Sequence, residues 1–495
     1  MTEEKNAISL LPESWILAKL GEVSMDPQYG WTTSAVSEGR LYLLRTTDIT
    51  TGKIDWNTVP YCKEEPSDVE KYLLKDGDIV ISRAGSVGYS NLIKNPKPAI
   101  FASYLIRFKP LIEERYMAYF LKSPFYWQSI SEKSIGIAIP NVNASKLKQI
   151  LIPLAPFPEQ GRIADKIEEL FTRLDAGVEG LRTVKTQLKR YRQAVLKYAF
   201  EGKLTEEWRK THKDQLEPAT ELLERIKQER KKDPKYKEPP PIDESDLPKT
   251  PENWIWTTIG SLFDVGSGGT PSRRKPEYWA GNIPWVSSGE VAFCEIWSTN
   301  EYITKEGLEN SSAKLYPEGT VLMALYGEGK TRGQAAILRI AATTNQAIAC
   351  IRCANSPVPP EYLYWWLYYR YYETRRIREG ANQPNMYLHH VRKMTIRVAP
   401  LLEQKEIIQK IEESLSIANE IDRTVDTSLL QAGHLRQCIL KTAFEGKLVP
   451  QDPSDKPAEK LLERVKAKRA KSKGGKDTDR KKNKPKQLEL PTYVK

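Results

Sequence analysis

Two copies of one set of motifs, offset by 239 to 244 residues, constrain this 495-residue chain more than any other feature. Pro12-Glu13-Ser14-Trp15-Ile16, closing at Gly21, returns as Pro251-Glu252-Asn253-Trp254-Ile255, closing at Gly260. Leu74-Lys75-Asp76-Gly77-Asp78-Ile79-Val80-Ile81 returns as Tyr316-Pro317-Glu318-Gly319-Thr320-Val321-Leu322-Met323. Further on, Pro140-Asn141 matches Pro384-Asn385, Pro156 matches Pro400, and Glu159-Gln160 matches Glu403-Gln404. Ala199-Phe200-Glu201-Gly202-Lys203-Leu204 recurs letter for letter from Ala443 to Leu448, and Pro218 with Leu222-Leu223-Glu224-Arg225 is echoed by Pro457 with Leu461-Leu462-Glu463-Arg464. A solenoid stacks many short repeats. Two long copies mean a duplicated domain with its connector, and a chain of this length lets each copy bury its own core.

Each copy divides into a compact part and a long helix. The compact parts mix short β-branched and aromatic runs with Gly, Pro and Asn punctuation, which reads as α+β with mixed sheets. An aromatic helix precedes each Pro-Asn pair, Tyr116 to Gln128 and Tyr362 to Arg375, and its rings suit one buried face better than a base-stacking platform. After it, Ile167, Leu170, Leu174, Gly177, Leu181, Val184, Leu188, Tyr191, Val195 and Tyr198 step by three and four, the signature of a coiled-coil seam. Ile411, Ser414, Ala418, Ile421, Val425, Ser428, Ala432, Leu435, Ile439 and Thr442 repeat the stepping with smaller, more polar residues. With leading pieces from Gln160 and Gln404 each helix runs roughly 40 residues, about 60 Å. Packed on each other antiparallel, they would relate the two compact domains by a pseudo-twofold; two separate coiled coils with foreign chains are the alternative.

The expected domains are therefore a first compact domain at 1–158, a first helix at 159–204, a charged and proline-rich linker with a short helix at 205–249, a second compact domain at 250–402, a second helix at 403–448, and a charged helix with a disordered basic tail at 449–495. The formal charge of +12 sits mostly in that tail: residues 464–486 hold twelve Lys or Arg against Asp477 and Asp479. Such a run adds non-specific phosphate attraction at most, so a specific nucleic-acid surface has to come from the body.

Five scattered cysteines do not suggest a disulfide framework, and Cys350-Ile351-Arg352-Cys353 lacks the second pair a tetrahedral zinc site needs. The four histidines lie in no nucleophile or metal motif. With no run of about 18 apolar residues and a polar, acidic start, the expected location is cytoplasmic.

The order domain, long helix, domain, long helix, with Pro156-x-x-Glu159-Gln160-x-x-Ile163 and Pro400-x-x-Glu403-Gln404-x-x-Ile407 opening the helices and Ala-Phe-Glu-Gly-Lys-Leu closing both, resembles the specificity subunit of type I restriction-modification systems. The resemblance spans 11–449. The second domain also resembles a common target-recognition type through Gly269-Thr270-Pro271-Ser272, Ile283 to Glu290, Thr331-Arg332-Gly333 and Thr344-Asn345-Gln346-Ala347. The first is less typical in its loops. The resemblance implies that each compact domain reads one half of a split, asymmetric DNA site and that the helices fix the unread spacer. It further implies two methyltransferase subunits with S-adenosylmethionine on the helices, and restriction subunits that bring ATP and magnesium. This chain would then carry no catalytic residue, metal or cofactor of its own.

Ala324-Leu325-Tyr326-Gly327-Glu328-Gly329-Lys330-Thr331 comes within one residue of a phosphate-binding P-loop, but a P-loop must open a helix. Ala335 to Ile340 reads as a returning strand, and the matching segment Arg83 to Ser90 has no Lys-Thr. A hairpin fits both copies. Rival readings are a nucleotide hydrolase with coiled-coil arms, a structural dimerisation protein, and the same DNA-reading architecture serving another modification or defence machine.

Sequence readout needs Arg or Lys for guanine edges, Asn or Gln for adenine, and hydroxyls and amides for phosphates. The candidates are Arg45, Thr46, Thr47, Arg83, Ser86, Tyr89, Ser103, Tyr104 and Asn141 in the first domain. In the second they are Arg273, Arg274, Lys275, Ser287, Ser288, Lys330, Arg332, Gln334, Asn345, Gln346, Gln383 and Asn385. Each can equally be an ordinary polar loop residue, and the two asparagines can be turn residues after proline. Arg332 and Arg83, in Gly-containing connections at comparable places in the repeat, lead the set. Arg332→Ala is expected to cost about 1–3 kcal/mol of binding and relax one base position.

Overall fold

The apolar runs become short strands set between Gly, Pro and Asp turns. The computed structural model describes residues 11–134, 141–234, 236–327, 329–376 and 386–479. The first domain has strands β1 (Ile16–Lys19), β2 (Gln28–Tyr29), β3 (Ala35–Val36), β4 (Tyr42–Leu44), β5 (Tyr61–Cys62), β6 (Ile79–Ser82), β7 (Ser90–Leu92), β8 (Ala99–Phe101), β9 (Leu105–Phe108) and β10 (Leu151–Leu154). Its helices α1 (Glu114–Phe120), α2 (Pro124–Ser134) and α3 (Ala144–Lys148) lead into α4 (Phe157–Phe200), and α5 (Ala219–Arg230) follows. The second domain has β11 (Ile255–Thr258), β12 (Asp264–Ser267), β13 (Trp279–Val286), β14 (Cys294–Ile296), β15 (Glu301–Ile303), β16 (Val321–Ala324), β17 (Ala335–Leu338), β18 (Thr343–Thr344), β19 (Ile348–Arg352) and β20 (Thr395–Val398), with helix α6 (Pro360–Tyr369). The chain continues through α7 (Leu401–Phe444) to α8 (Ala458–Asp479).

Two compact units result: Met1–Leu181 with Thr427–Lys495, and Arg182–Asp426. Each holds one domain and parts of both long helices. In the first unit the sheets run β2-β9-β6-β7 and β3-β5-β4-β8, with β1 paired to β10. In the second they run β12-β19-β16-β17-β14 and β15-β13-β18, with β11 paired to β20. Parallel pairings (β4 with β8, β13 with β18) sit among antiparallel ones, so both domains are α+β with mixed sheets. Strand periodicity places alternate side chains on opposite faces. Thus Ile79 and Ile81 join the core under the helices while Val80 joins the one between the sheets, and Val321 and Met323 divide from Leu322 and Ala324 in the same way.

The repeated motifs are packing devices. Trp15 Nε1 donates to Glu159 Oε2 at 3.0 Å, and Trp254 Nε1 to Glu403 Oε2 at 2.8 Å. Burial pushes the Glu159 carboxyl above the usual range, although bonds from Trp15 and Gln451 favour its charged form. Gln160 and Gln404 donate to the carbonyls of Ala155 and Ala399. At the helix exits, Lys203 N bonds Tyr198 O and Lys447 N bonds Thr442 O around Gly202 and Gly446, at φ of 72° and 71°. This is a left-handed helix cap that glycine adopts without strain. It turns Phe444 into the first unit's core, 5.1 Å from the Tyr116 ring, and Phe200 into the second's, 5.1 Å from Trp366. The aromatic helices are core, as expected, though both are interrupted, the first at residues 121–123 and the second at Arg370.

Within each unit the long helices pack antiparallel. In the second, Lys185 pairs with Asp426 and Arg192 with Asp422, so one number falls as the other rises; in the first, Arg436 pairs with Asp175. The seam is narrower than expected. Ile167, Leu188, Val195, Ile411, Ala418, Val425 and Ile439 are buried, all at multiples of seven within their helix, and Leu174 and Leu181 on the same line are half-buried. Of the alternate positions, Leu170 and Val184 are half-buried. Ile421 (41% exposed), Leu435 (51%), Tyr191 and Tyr198 face solvent. The helices thus meet mainly along one of the two lines of the stripe.

The charged segments after the helices are docked. Ala219 N bonds Asn253 O and Ala458 N bonds Ser14 O; Arg230 and Arg469 donate to the carbonyls of Gly260 and Gly21. Leu461 and Val465 are buried against the first domain, and Lys466 and Arg469 pair with Glu22 and Asp26. Of the basic stretch expected to be a solvated tail, the part up to Asp479 continues α8, whose first turns hold these contacts; residues 480–495 lie outside the described residues. Within 205–249 the expected short helix is α5, Ala219–Arg230.

Candidate nucleic-acid interface

The strands that carry each core also bring a set of loops to one end of each domain. In the first domain β6 ends at Ser82 and β7 starts at Ser90, antiparallel, so residues 83–89 close a hairpin. β9 begins beside it, and Arg83 N donates to Tyr104 O at 2.9 Å. β4 lies parallel to β8, which places Arg45 next to Ala102 and Ser103; Ala102 N donates to Leu44 O. β2 ends at Tyr29, and Asn141 bridges to Ala84.

The second domain repeats these bonds. Leu325 N donates to Ala347 O, Asn345 N to Val286 O, Gly333 N to Ala324 O and Met386 N to Leu325 O, matching Arg83 to Tyr104, Ala102 to Leu44, Gly88 to Ser82 and Val142 to Arg83. The loops after β12 and β13, the hairpin 325–334 and the turn 345–347 converge as their counterparts do. Glycine is needed where the first of these passes β18: a Cβ on Gly268 would meet Thr344 O at 2.0 Å, and one on Gly30 would meet Ala102 O at 2.2 Å. The hairpin leads to β17, antiparallel to β16, and no helix follows Lys330-Thr331. The phosphate-binding reading thus lacks its structural context.

The sequence profile of the type I restriction modification DNA specificity domain matches residues 35–180 and 251–430. The chain belongs to this family. It is a DNA sequence-recognition subunit. The EcoDI specificity subunit of Escherichia coli is 25% identical over 460 residues, covering 88% of this chain and 96% of that protein. The EcoKI specificity subunit of Escherichia coli (strain K12) is 26% identical over 508 residues, covering 96% and 99%. In fold, the chain resembles the HsdS subunit from Thermoanaerobacter tengcongensis (TM-score 0.54, 17% identity, 88% of this chain and 98% of that one). It also resembles a chain from work on complex assembly and conformational transition of the type I R-M system (TM-score 0.61, 16% identity, 88% and 99%).

On this specificity-family scaffold the candidate readers divide by environment. Thr47, Tyr89, Tyr104, Arg274, Lys275, Lys330 and Gln346 are exposed; Thr46, Ser86, Ser103, Asn141, Ser288, Gln334 and Asn345 are half-buried. Arg45 and Ser287 hold equivalent places, each with its amide bonded to a carboxylate three residues on, Asp48 and Glu290. The Arg45 guanidinium also binds Asp48, which holds its pKa up. Arg273 lies 3.6 Å over the Trp279 ring and pairs with Glu301, while Lys275 donates to the Tyr278 hydroxyl at 2.8 Å. Gln346 accepts from the Thr270 hydroxyl at 2.5 Å, which fixes its amide beside the β12 loop. Gln383 and Asn385 lie outside the described residues.

Arg332 is a correction. It is 7% exposed, its Nη2 donates to the Arg375 carbonyl at 2.9 Å, and it supports the hairpin from within. Nor does it match Arg83: the bonds equate Arg83 with Leu325, and Arg332 lies one residue before Gly333, the counterpart of Gly88. Sequence reasoning missed Tyr29, under Arg83, and Tyr371, whose hydroxyl donates to Lys330 O at 2.5 Å. An aromatic immediately before a loop glycine, Tyr29-Gly30, was the available signal for the first; nothing pointed to the second.

Among the described residues no helix is long and apolar enough to cross a membrane. Among the described residues no group of three or more His, Cys, Asp or Glu could hold a metal ion. Cys350 and Cys353 are buried in different cores, and burial pushes the Cys350 thiol up to about 12.

Proposed function

We propose that the loop-bearing end of each domain reads one half of a split, asymmetric DNA site, and that α4 and α7 set the spacer between the halves. The observation that carries this reading is the repetition of backbone bonds under loops whose side chains differ. Tyr89, Ser103 and Tyr104 stand where Gln334, Gln346 and Ala347 stand in the second domain. One scaffold with two sets of side chains suits two different base sequences, since donors and acceptors on the loops carry the discrimination. Arg45, Thr46, Thr47, Arg83, Ser86, Tyr89, Ser103 and Tyr104 would face one half-site. Arg273, Arg274, Lys275, Ser287, Ser288, Lys330, Gln334, Asn345 and Gln346 would face the other.

In this reading the chain contributes no catalytic group and no cofactor. Two methyltransferase subunits bring S-adenosylmethionine and restriction subunits bring ATP and magnesium, in the cytoplasm where the DNA is. The apolar side chains that the narrow seam leaves exposed, Ile417 and Ile421 among them, suit a methyltransferase helix laid along α7.

Selection from a random duplex library by the chain co-purified with its methyltransferase tests the proposal. Two short enriched half-sites at one fixed spacing are the expected result. One continuous motif, or none, would overturn it.

A further inference from the structure

Arg83 stands where the repeat places a core residue. Its counterpart by backbone bonding, Leu325, is 2% exposed and packs in the second domain's main cluster. The same pair of backbone bonds holds Arg83: its N donates to Tyr104 O at 2.9 Å, and its carbonyl accepts from Val142 N at 3.0 Å. The side chain lies against the Tyr29 ring, guanidinium carbon to ring centroid 5.1 Å. That ring is itself fixed, because its hydroxyl accepts from Ala144 N at 3.0 Å at the start of α3.

The charge is not compensated as its neighbours are. Arg40, Arg45, Arg107 and Arg115 of the same domain each pair with a carboxylate. Among the described residues Arg83 has none, and its Nε is enclosed without a hydrogen-bond partner. Burying part of a guanidinium with neither counter-charge nor acceptor is costly. A residue that breaks the local rule without compensation marks function more often than folding.

Building on the reading of these loops as DNA-facing, we infer that Arg83 reads a guanine in the half-site of the first domain, with Tyr29 as its positioning residue. A guanidinium carries only donors, and guanine is the base whose major-groove edge offers two acceptors, N7 and O6, at the spacing of the fork. Adenine mixes an acceptor with a donor, cytosine shows a donor alone, and thymine has one acceptor beside its methyl group. The ring beneath and the two backbone bonds hold the fork before DNA arrives, which lowers the ordering cost of binding. Exposed Tyr89 and Tyr104 flank it, supplying apolar contact at the same groove.

The test is library selection with the methyltransferase complex of the wild type, Arg83→Leu and Arg83→Lys in parallel. Leucine is the residue that the second domain carries at this place, so Arg83→Leu should melt like the wild type. It should lose preference for guanine at one position of one half-site, about ten- to a hundredfold, while the other half-site keeps its sequence. Lysine keeps the charge without the planar fork. A guanine reader loses most of its discrimination in Arg83→Lys, whereas a phosphate contact stays near wild-type affinity for every sequence. An unchanged motif in Arg83→Leu, or equal weakening on all sequences, would overturn the assignment. If Arg83→Leu melts early, the Arg83→Lys profile decides. A wild type that selects no two-part motif would sink the reading of the loops, a result distinct from either.

Discussion

Arg332 and Arg83 show how far a side chain's role depends on its direction. Arg332 points into its hairpin and donates to the Arg375 carbonyl. Arg332→Ala should therefore lower the stability of the second domain by about 1–3 kcal/mol, the cost of an unmade bond to a charged donor, as read from the urea midpoint, and leave the selected DNA motif unchanged. A relaxed base position with normal stability would make Arg332 a reader after all. That the hairpin exists was legible: Val321-Leu322-Met323 and Ala335-Ala336-Ile337-Leu338 carry strand composition around Gly-rich punctuation. Which arginine corresponds to which was not, because the hairpin spans Ser82 to Gly88 in one copy and Ala324 to Gly333 in the other, and only the backbone bonds supply the register. Nor can composition tell Arg273, held by Glu301 and Trp279, from Arg83, which lacks a carboxylate.

At the level of elements, the long helices were legible because a 3.6-residue period over ten turns has no competing reading. The width of their seam was not, since apolar residues at alternate positions look alike whether a neighbour covers them or not. Ile411, Ala418 and Val425 are covered; Ile417 and Ile421 are not. The helix exits are more tightly specified. At Gly446 the backbone is left-handed, and a Cβ would meet Pro12 Cγ at 2.4 Å. Gly446→Val should cost about 1–3 kcal/mol or more and loosen Phe444 from Tyr116 and Phe120. Gly433 lies in the same helix with nothing within 4 Å of its would-be Cβ. Gly433→Ala should instead stabilise by about 0.5–1 kcal/mol through helix propensity alone. Urea unfolding of both variants separates the cap from the helix, and equal effects would remove the special role of the exit.

For the whole molecule, the proposed spacer can be tested by length. The helices are equally long, 44 residues each, and their ion pairs fix which positions face each other. Removing residues 178–184 from α4 and 427–433 from α7 takes one heptad out of each helix and leaves Asp175 with Arg436 and Arg192 with Asp422 as they are. Seven residues shorten a helix by about 10.5 Å, or about three base pairs at 3.4 Å each. Library selection should then return both half-sites unaltered with a spacer about three pairs shorter. Three pairs turn the duplex by roughly a quarter to a third of its 10.5-pair period, while a heptad changes helix phase by only about 20°. The shortened protein has to twist its DNA to engage both halves, so its affinity should fall even for the spacer it prefers. Removing seven residues from α4 alone would set the ion pairs out of register and should abolish two-part recognition. A spacer that stays the same after the double deletion would mean that something other than the helices measures it.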